Sequence, residues 1–185
     1  MAKQGQADRF HQGTMTDGWR WFGAHPAKKR GREGWTFRVW APHAEAVSVI
    51  GDFNDWQEGA APLTRKGEIW EGFLPDLPVY TSYKYAVRGA DGQVRRKADP
   101  YGFHTETRPA TASKLYDIEG FQWTDAAFRE RKAKHPVYTS PLNIYEVHLG
   151  SWKKRDNGDF IDYRDLAREL AAYVKDMGYT AIELL

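Results

Sequence analysis

Between Pro141 and Leu185 the chain reads strand, helix, strand. One such unit cannot cover its own apolar surface, because parallel strands need helices or further strands on both faces. Ile144 to Leu149 and Thr180 to Leu185 have strand composition. Between them Asp162 is a good N-cap, and Leu166, Leu170, Tyr173, Val174 and Met177 recur as one apolar helical stripe. Gly178 stands where helices end in a left-handed residue. The second strand runs to Leu185 with no turn or polar tail after it. The expectation is the front piece of a larger protein, whose chemistry continues beyond residue 185.

Ahead of this unit the pattern is different. From Trp35 the chain alternates: Trp35, Phe37 and Val39 on one face, Thr36, Arg38 and Trp40 on the other. Val47 to Ile50, Ile69 to Leu74, Ser82 to Arg88, Gln93 to Lys97 and a short stretch near Ala112 to Tyr116 also read as strands. Asp91-Gly92 is a hairpin turn, and Gly51 to Trp56 is dense in turn formers. Short strands at regular spacing predict a β-sandwich. Residues 1–19 read as an irregular lead-in, with an aromatic knot beginning at Trp19-Arg20-Trp21-Phe22. Residues 119–140 read as a connector with one short helix, capped by Thr124 and stopped at His135-Pro136. The fold class is therefore mainly β: an immunoglobulin-like sandwich over 20–118, then an incomplete βαβ unit over 141–185.

Composition narrows the function classes. Apolar residues make up 41% and aromatics 15%, so the chain folds. Net charge is only +2, against the strongly basic face of a nucleic-acid protein. Lys28-Lys29-Arg30-Gly31-Arg32 and Arg95-Arg96-Lys97 read as solvated loop or edge charges. There is no cysteine, which fits a reducing cytoplasm and excludes disulfides and thiolate-bound zinc. The six histidines lack metal-ligand spacing, so neither metal nor cofactor is expected. Residues 1–20 have no apolar stretch for a signal peptide, and no run is long enough to span a membrane.

The segments Gly51-Asp52-Phe53-Asn54-Asp55-Trp56 and Ile144 to Trp152, "IYEVHLGSW", resemble the bacterial glycogen branching enzymes, 1,4-α-glucan branching enzymes of the α-amylase superfamily. The resemblance runs along nearly the whole chain. Phe37 to Trp56, Tyr83 to Phe103 and Arg108 to Ser113 are similar to a family 48 carbohydrate-binding module. Asn143 to Trp152 and Tyr163 to Leu185 are similar to the first strand, first helix and second strand of a catalytic (β/α)8 barrel. The "GDFNDW" segment is shared by many starch-acting and glycogen-targeting proteins; "YEVHLGSW" is more specific. The implied partners are α-glucans (glycogen and amylose) and the remainder of the barrel. Sister enzymes that debranch glucans or form trehalose share this domain order, and a stand-alone glycogen-binding module is a further alternative.

The resemblance implies that the catalytic carboxylates lie on later barrel strands, so no catalytic residue is expected in this chain. Glu146 and Glu183 are the tempting substitutes, but each sits within a strand, whereas barrel active sites lie at strand ends. Strand alternation turns Tyr145, Val147, Leu149, Ile182 and Leu184 toward helices, and Glu146, His148 and Glu183 to the other side. The glucan-binding candidates are Trp56 and Lys84. Trp56 follows a polar turn where an indole can stay exposed, although a buried sandwich tryptophan has the same signature. Lys84, between Tyr83 and Tyr85, is either a solvated lysine or a donor to sugar hydroxyls. The resemblance favours sugar contact for Trp56, and points to Val94 as the place where stronger binders carry a second stacking tryptophan. Asn54 reads as a turn residue, and Trp35, Trp40 and Trp70 as packing.

Overall fold

A computed structural model describes residues 5–185. The chain divides into two compact units, one reaching Phe121 and the other running from Gln122 to Leu185.

In the first unit, helix α1 (Gln6–His11) leads to strands β1 (Gly23–Lys29), β2 (Arg32–Trp40), β3 (Ala44–Gly51), β4 (Thr64–Lys66), β5 (Ile69–Pro75), β6 (Ser82–Gly89), β7 (Val94–Lys97), β8 (His104–Thr105) and β9 (Ser113–Lys114). One antiparallel sheet has the order β1-β2-β5-β4; the other has the order β3-β6-β9-β8, with β7 also on β6. The alternation read from Trp35 onward is borne out. Trp35, Phe37 and Val39 are buried with Trp70 from their own sheet and with Val47, Val49, Tyr83, Tyr85 and Leu115 from the facing one. This is a two-sheet sandwich with one core.

The lead-in is less irregular than its composition implies. It holds α1, and Phe10 of that helix sets its ring against Phe22 (centroids 4.7 Å) and Trp40 (5.7 Å). Phe22 is fully buried and stacks on Tyr101. Trp40 is thus a packing residue, yet 48% exposed, unlike buried Trp35 and Trp70. Strand β1 has no apolar alternation. It is held by its register with β2, from Gly23 opposite Arg38 to Lys29 opposite Arg32. The hairpin between them puts Arg30 and Gly31 in left-handed conformation (φ 51° and 81°), a turn whose twist matches the strands.

A buried carboxylate ties the second sheet together. Asp99 accepts hydrogen bonds from the Tyr83 hydroxyl (2.7 Å), the Tyr85 hydroxyl (3.1 Å) and the Tyr101 amide (2.8 Å). Burial pushes Asp99 above its ordinary range, against the pull of these donors. Burial and the neighbouring Asp99 hold both tyrosine hydroxyls well above theirs.

The second unit contains α2 (Ala126–Lys134), β10 (Ile144–Val147), α3 (Leu149–Trp152), α4 (Tyr163–Asp176) and β11 (Ala181–Leu184). β10 and β11 pair in parallel, with Tyr145 opposite Ile182, Glu146 opposite Glu183 and Val147 opposite Leu184. Asp162 caps α4 as expected, accepting from the Arg164 and Asp165 amides, and Gly178 is left-handed at φ 80°. Leu166, Leu170 and Val174 are buried, whereas Met177 at the C-cap is 54% exposed. Two expectations are corrected. The N-cap of α2 is Asp125 rather than Thr124, and its carboxylate takes the Arg129 guanidinium (3.1 Å) instead of a backbone amide. β10 ends at Val147, because Leu149 already opens the turn of α3.

Candidate functional site

The outer face of the five-stranded sheet carries the sequence-predicted candidates. Tyr83 and Tyr85 point into the core, so Lys84 between them points out. Opposite Lys84 lies Ile50 of β3, and the next residue, Gly51, starts the turn to Trp56. That turn is tightly determined. Asn54 receives the Gly51 amide (2.9 Å) and donates to the Val49 carbonyl (3.0 Å), so it is a turn residue as read. A Cβ on Gly51 would collide with the Ser82 carbonyl oxygen. Asp55 and Trp56 are both left-handed, at φ 50° and 58°. A bulky residue in that region is an outlier that the surrounding structure must impose.

A hydrogen-bonded chain joins the two candidates. The Trp56 indole N–H donates to Asp52 Oδ1 (3.1 Å), and Asp52 Oδ2 takes the Ser82 amide (3.4 Å). The Ser82 hydroxyl donates to Glu106 Oε1 (3.3 Å), whose other oxygen takes the Ala112 amide (2.8 Å). Beside Ala112, the Thr111 hydroxyl accepts from Lys84 Nζ (2.7 Å). Trp56 is half-buried, with the edge of its ring pinned through the indole nitrogen. Val94 belongs to the same surface, because it opposes Arg88, which shares strand parity with Lys84. Arg96, two residues further along β7, pairs with Glu58 (3.0 Å), so the loop that carries Trp56 reaches across this face. Asp52, Ser82, Glu106 and Thr111 had no signal in the sequence. They lie up to 59 residues apart and meet only through sheet pairing.

Such a surface suits a neutral polyhydroxylated ligand: an aromatic face for C–H groups, with an ammonium and hydroxyls at its side.

The tempting carboxylates of the second unit are placed otherwise. Glu146 and Glu183 are opposite partners on one face of the parallel pair, both exposed, and neither makes an ion pair among the described residues. Tyr145 and Val147 join the apolar cluster with Leu170 and Val174, as strand alternation predicts; Leu149 joins it from α3 instead of the strand, and Ile182 and Leu184 stay outside it, 39% and 59% exposed. No helix of the described residues is long and apolar enough to cross a membrane.

Residues 21–102 match the family model of carbohydrate-binding module 48, the isoamylase N-terminal domain. Over 178 residues the chain is 46% identical to the 1,4-alpha-glucan branching enzyme GlgB of Halothermothrix orenii, covering 95% of this chain and 28% of that protein. Against the same-named protein of Oceanobacillus iheyensis the identity is 44%, with the same coverage. The chain thus spans little more than a quarter of the length of these relatives. Among solved structures, the fold is similar to a putative alpha amylase from Salmonella typhimurium (TM-score 0.59, 20% identity, 89% of this chain and 24% of that one). The resemblance read from "GDFNDW" and "YEVHLGSW" is borne out by the family model and these relatives, and the sandwich has the module's fold.

Proposed function

We propose that this chain is the N-terminal portion of a cytoplasmic glycogen branching enzyme, which moves α-1,4-glucan segments onto sugar 6-hydroxyls to form α-1,6 branches. In this reading residues 20–118 are the glucan-binding module, 119–140 a connector and 141–185 the opening of the catalytic barrel. The observation that carries it is the linkage of Trp56 to Lys84 on one sheet face through Asp52, Ser82, Glu106 and Thr111. The Trp56 ring stacks on the apolar face of a glucose unit, while Lys84 Nζ and Thr111 Oγ1 bind its hydroxyls. Asp52, by occupying the indole nitrogen, fixes the ring so that no rotamer freedom is lost on binding.

The chain alone is inactive in this reading. A retaining glucan enzyme needs two carboxyl groups flanking the scissile bond, about 5 Å apart. Glu146 and Glu183 lie within β10 and β11, not beyond the strand ends where barrel active sites are built. Amylose incubated with the chain should keep its iodine colour and gain no α-1,6 signals by NMR. Affinity electrophoresis in glycogen gels tests the binding site. Retardation should be lost in Trp56→Ala and increased in Val94→Trp; retardation unchanged in Trp56→Ala would remove Trp56 from the site.

A further inference from the structure

The Trp56–Lys84 surface does not end at Ser82. Lys114 of β9 lies opposite Ser82, and His104 of β8 lies opposite Lys114, so the three share the outer face. His104 of this row meets two rings that lie two residues from Ser82 and Lys114 in the chain: Tyr80–His104 at 5.4 Å, His104–Tyr116 at 5.4 Å and Tyr80–Tyr116 at 5.7 Å. Tyr80 is 55% exposed. Its backbone is left-handed at φ 70°, and its amide is pinned to the Leu115 carbonyl (2.7 Å). Five described non-glycine residues have positive φ, and the two aromatic ones, Trp56 and Tyr80, both border this face. Glycine would adopt the Tyr80 backbone without steric strain, so the backbone angle does not itself call for a tyrosine there. The Lys114 backbone is held in the ladders to β6 and β8, while its ammonium makes no hydrogen bond or ion pair among the described residues.

From these observations we infer that Tyr80, backed by His104 and Tyr116, is a second sugar platform, which lengthens the Trp56–Lys84 site into a track for one extended neutral α-glucan chain, with Lys114 donating to hydroxyls midway. The inference rests on the glucan-binding reading above. Lys84 lies two residues inside β6, whereas Tyr80 lies in the turn two residues ahead of that strand's first residue, Ser82. In the proposal a short sugar is held at Trp56 alone, and a longer one also reaches the second platform. The contact at Tyr80 is then intramolecular and adds affinity only for chains that span both.

The test is calorimetric titration of the 185-residue chain with maltotriose and maltoheptaose. Tyr80→Gly removes the ring and suits the left-handed backbone, so the chain should still fold cooperatively, with its thermal midpoint lowered only by the lost contacts to His104 and Tyr116. Its maltoheptaose affinity should drop roughly two- to tenfold, the range of one aromatic contact, with maltotriose affinity unchanged. Tyr80→Phe should retain the wild-type preference for the longer chain. Unchanged maltoheptaose affinity in Tyr80→Gly, with binding lost in Trp56→Ala, would overturn the track and leave the Trp56 site standing. Equal losses for both sugars would also overturn it, since Tyr80 would then be acting on the Trp56 site itself. Binding that survives Trp56→Ala with both sugars would instead overturn the underlying reading.

Discussion

The two units solve the same problem to different degrees. In the first, two sheets bury each other: Phe37 and Tyr83 meet edge to face across the core (5.3 Å), and Val47, Val49 and Leu115 close around them. In the second, one helix lies on a two-stranded sheet. Val147, Leu170 and Val174 are buried, but Ile182 and Leu184 remain 39% and 59% exposed. With Leu166 and Leu170 they line an open apolar cavity of about 460 Å³. The sequence pattern is equally clear in both units. What differs is the cover: periodicity states which side of an element is apolar, not whether anything lies against it.

The comparison breaks most readily in the cores. Phe37→Ala should cost about 3–5 kcal/mol in urea unfolding, the range for a buried aromatic. Leu170→Ala should cost less, about 2 kcal/mol, because an open cavity lets neighbours relax. Equal losses for the two would mean that the second unit is as well packed as the first.

A smaller effect separates the ion pairs. Arg38 and Glu71 are opposite partners on β2 and β5, bonded at 2.5 Å, with Lys66 on the other carboxylate oxygen at 2.8 Å. Burial alone would raise Glu71, but the hydrogen bonds and charges of Lys66 and Arg38 outweigh it and hold the carboxyl below its ordinary 4.5. A depressed carboxylate stabilises the fold above its unfolded value and loses that contribution as pH falls through the folded one. Glu71→Gln should therefore cost about 1–2 kcal/mol at pH 7 and nothing measurable near pH 2–3. The second unit's pairs from Arg155 to Asp162 and Asp165 are solvent-exposed, and Arg155→Ala should cost less than ~1 kcal/mol.

The smallest effect is the cap. Asp162→Ala should cost about 1 kcal/mol. It should show as faster amide exchange in α4, with the sandwich amides unchanged. Faster exchange in β2 or β6 would mean that the two units unfold together.

Legibility follows the same physics. β2, β3, β5, β6 and α4 were readable because each turns one apolar face inward, and period alone reveals that. β1, β4 and β8 were not: Thr64-Arg65-Lys66 carries no apolar residue, and its place comes from pairing with β5. Trp56 and Lys84 were visible as types in suggestive places. The Asp52–Ser82–Glu106 links and the Tyr80 platform were not, since they depend on which strands become neighbours and on a backbone angle that no residue type announces.

Asp99 with its two tyrosines has an optical consequence. A hydroxyl held well above its ordinary value stabilises the folded state at neutral pH, and that contribution drains away as alkali draws the proton off. Tyr83 and Tyr85 should therefore ionise only when the sandwich opens. A rising-pH titration followed by tyrosinate absorbance in the near ultraviolet reads this out. These two would appear in a late, abrupt, cooperative step, giving the chain a built-in dye that reports the integrity of one unit.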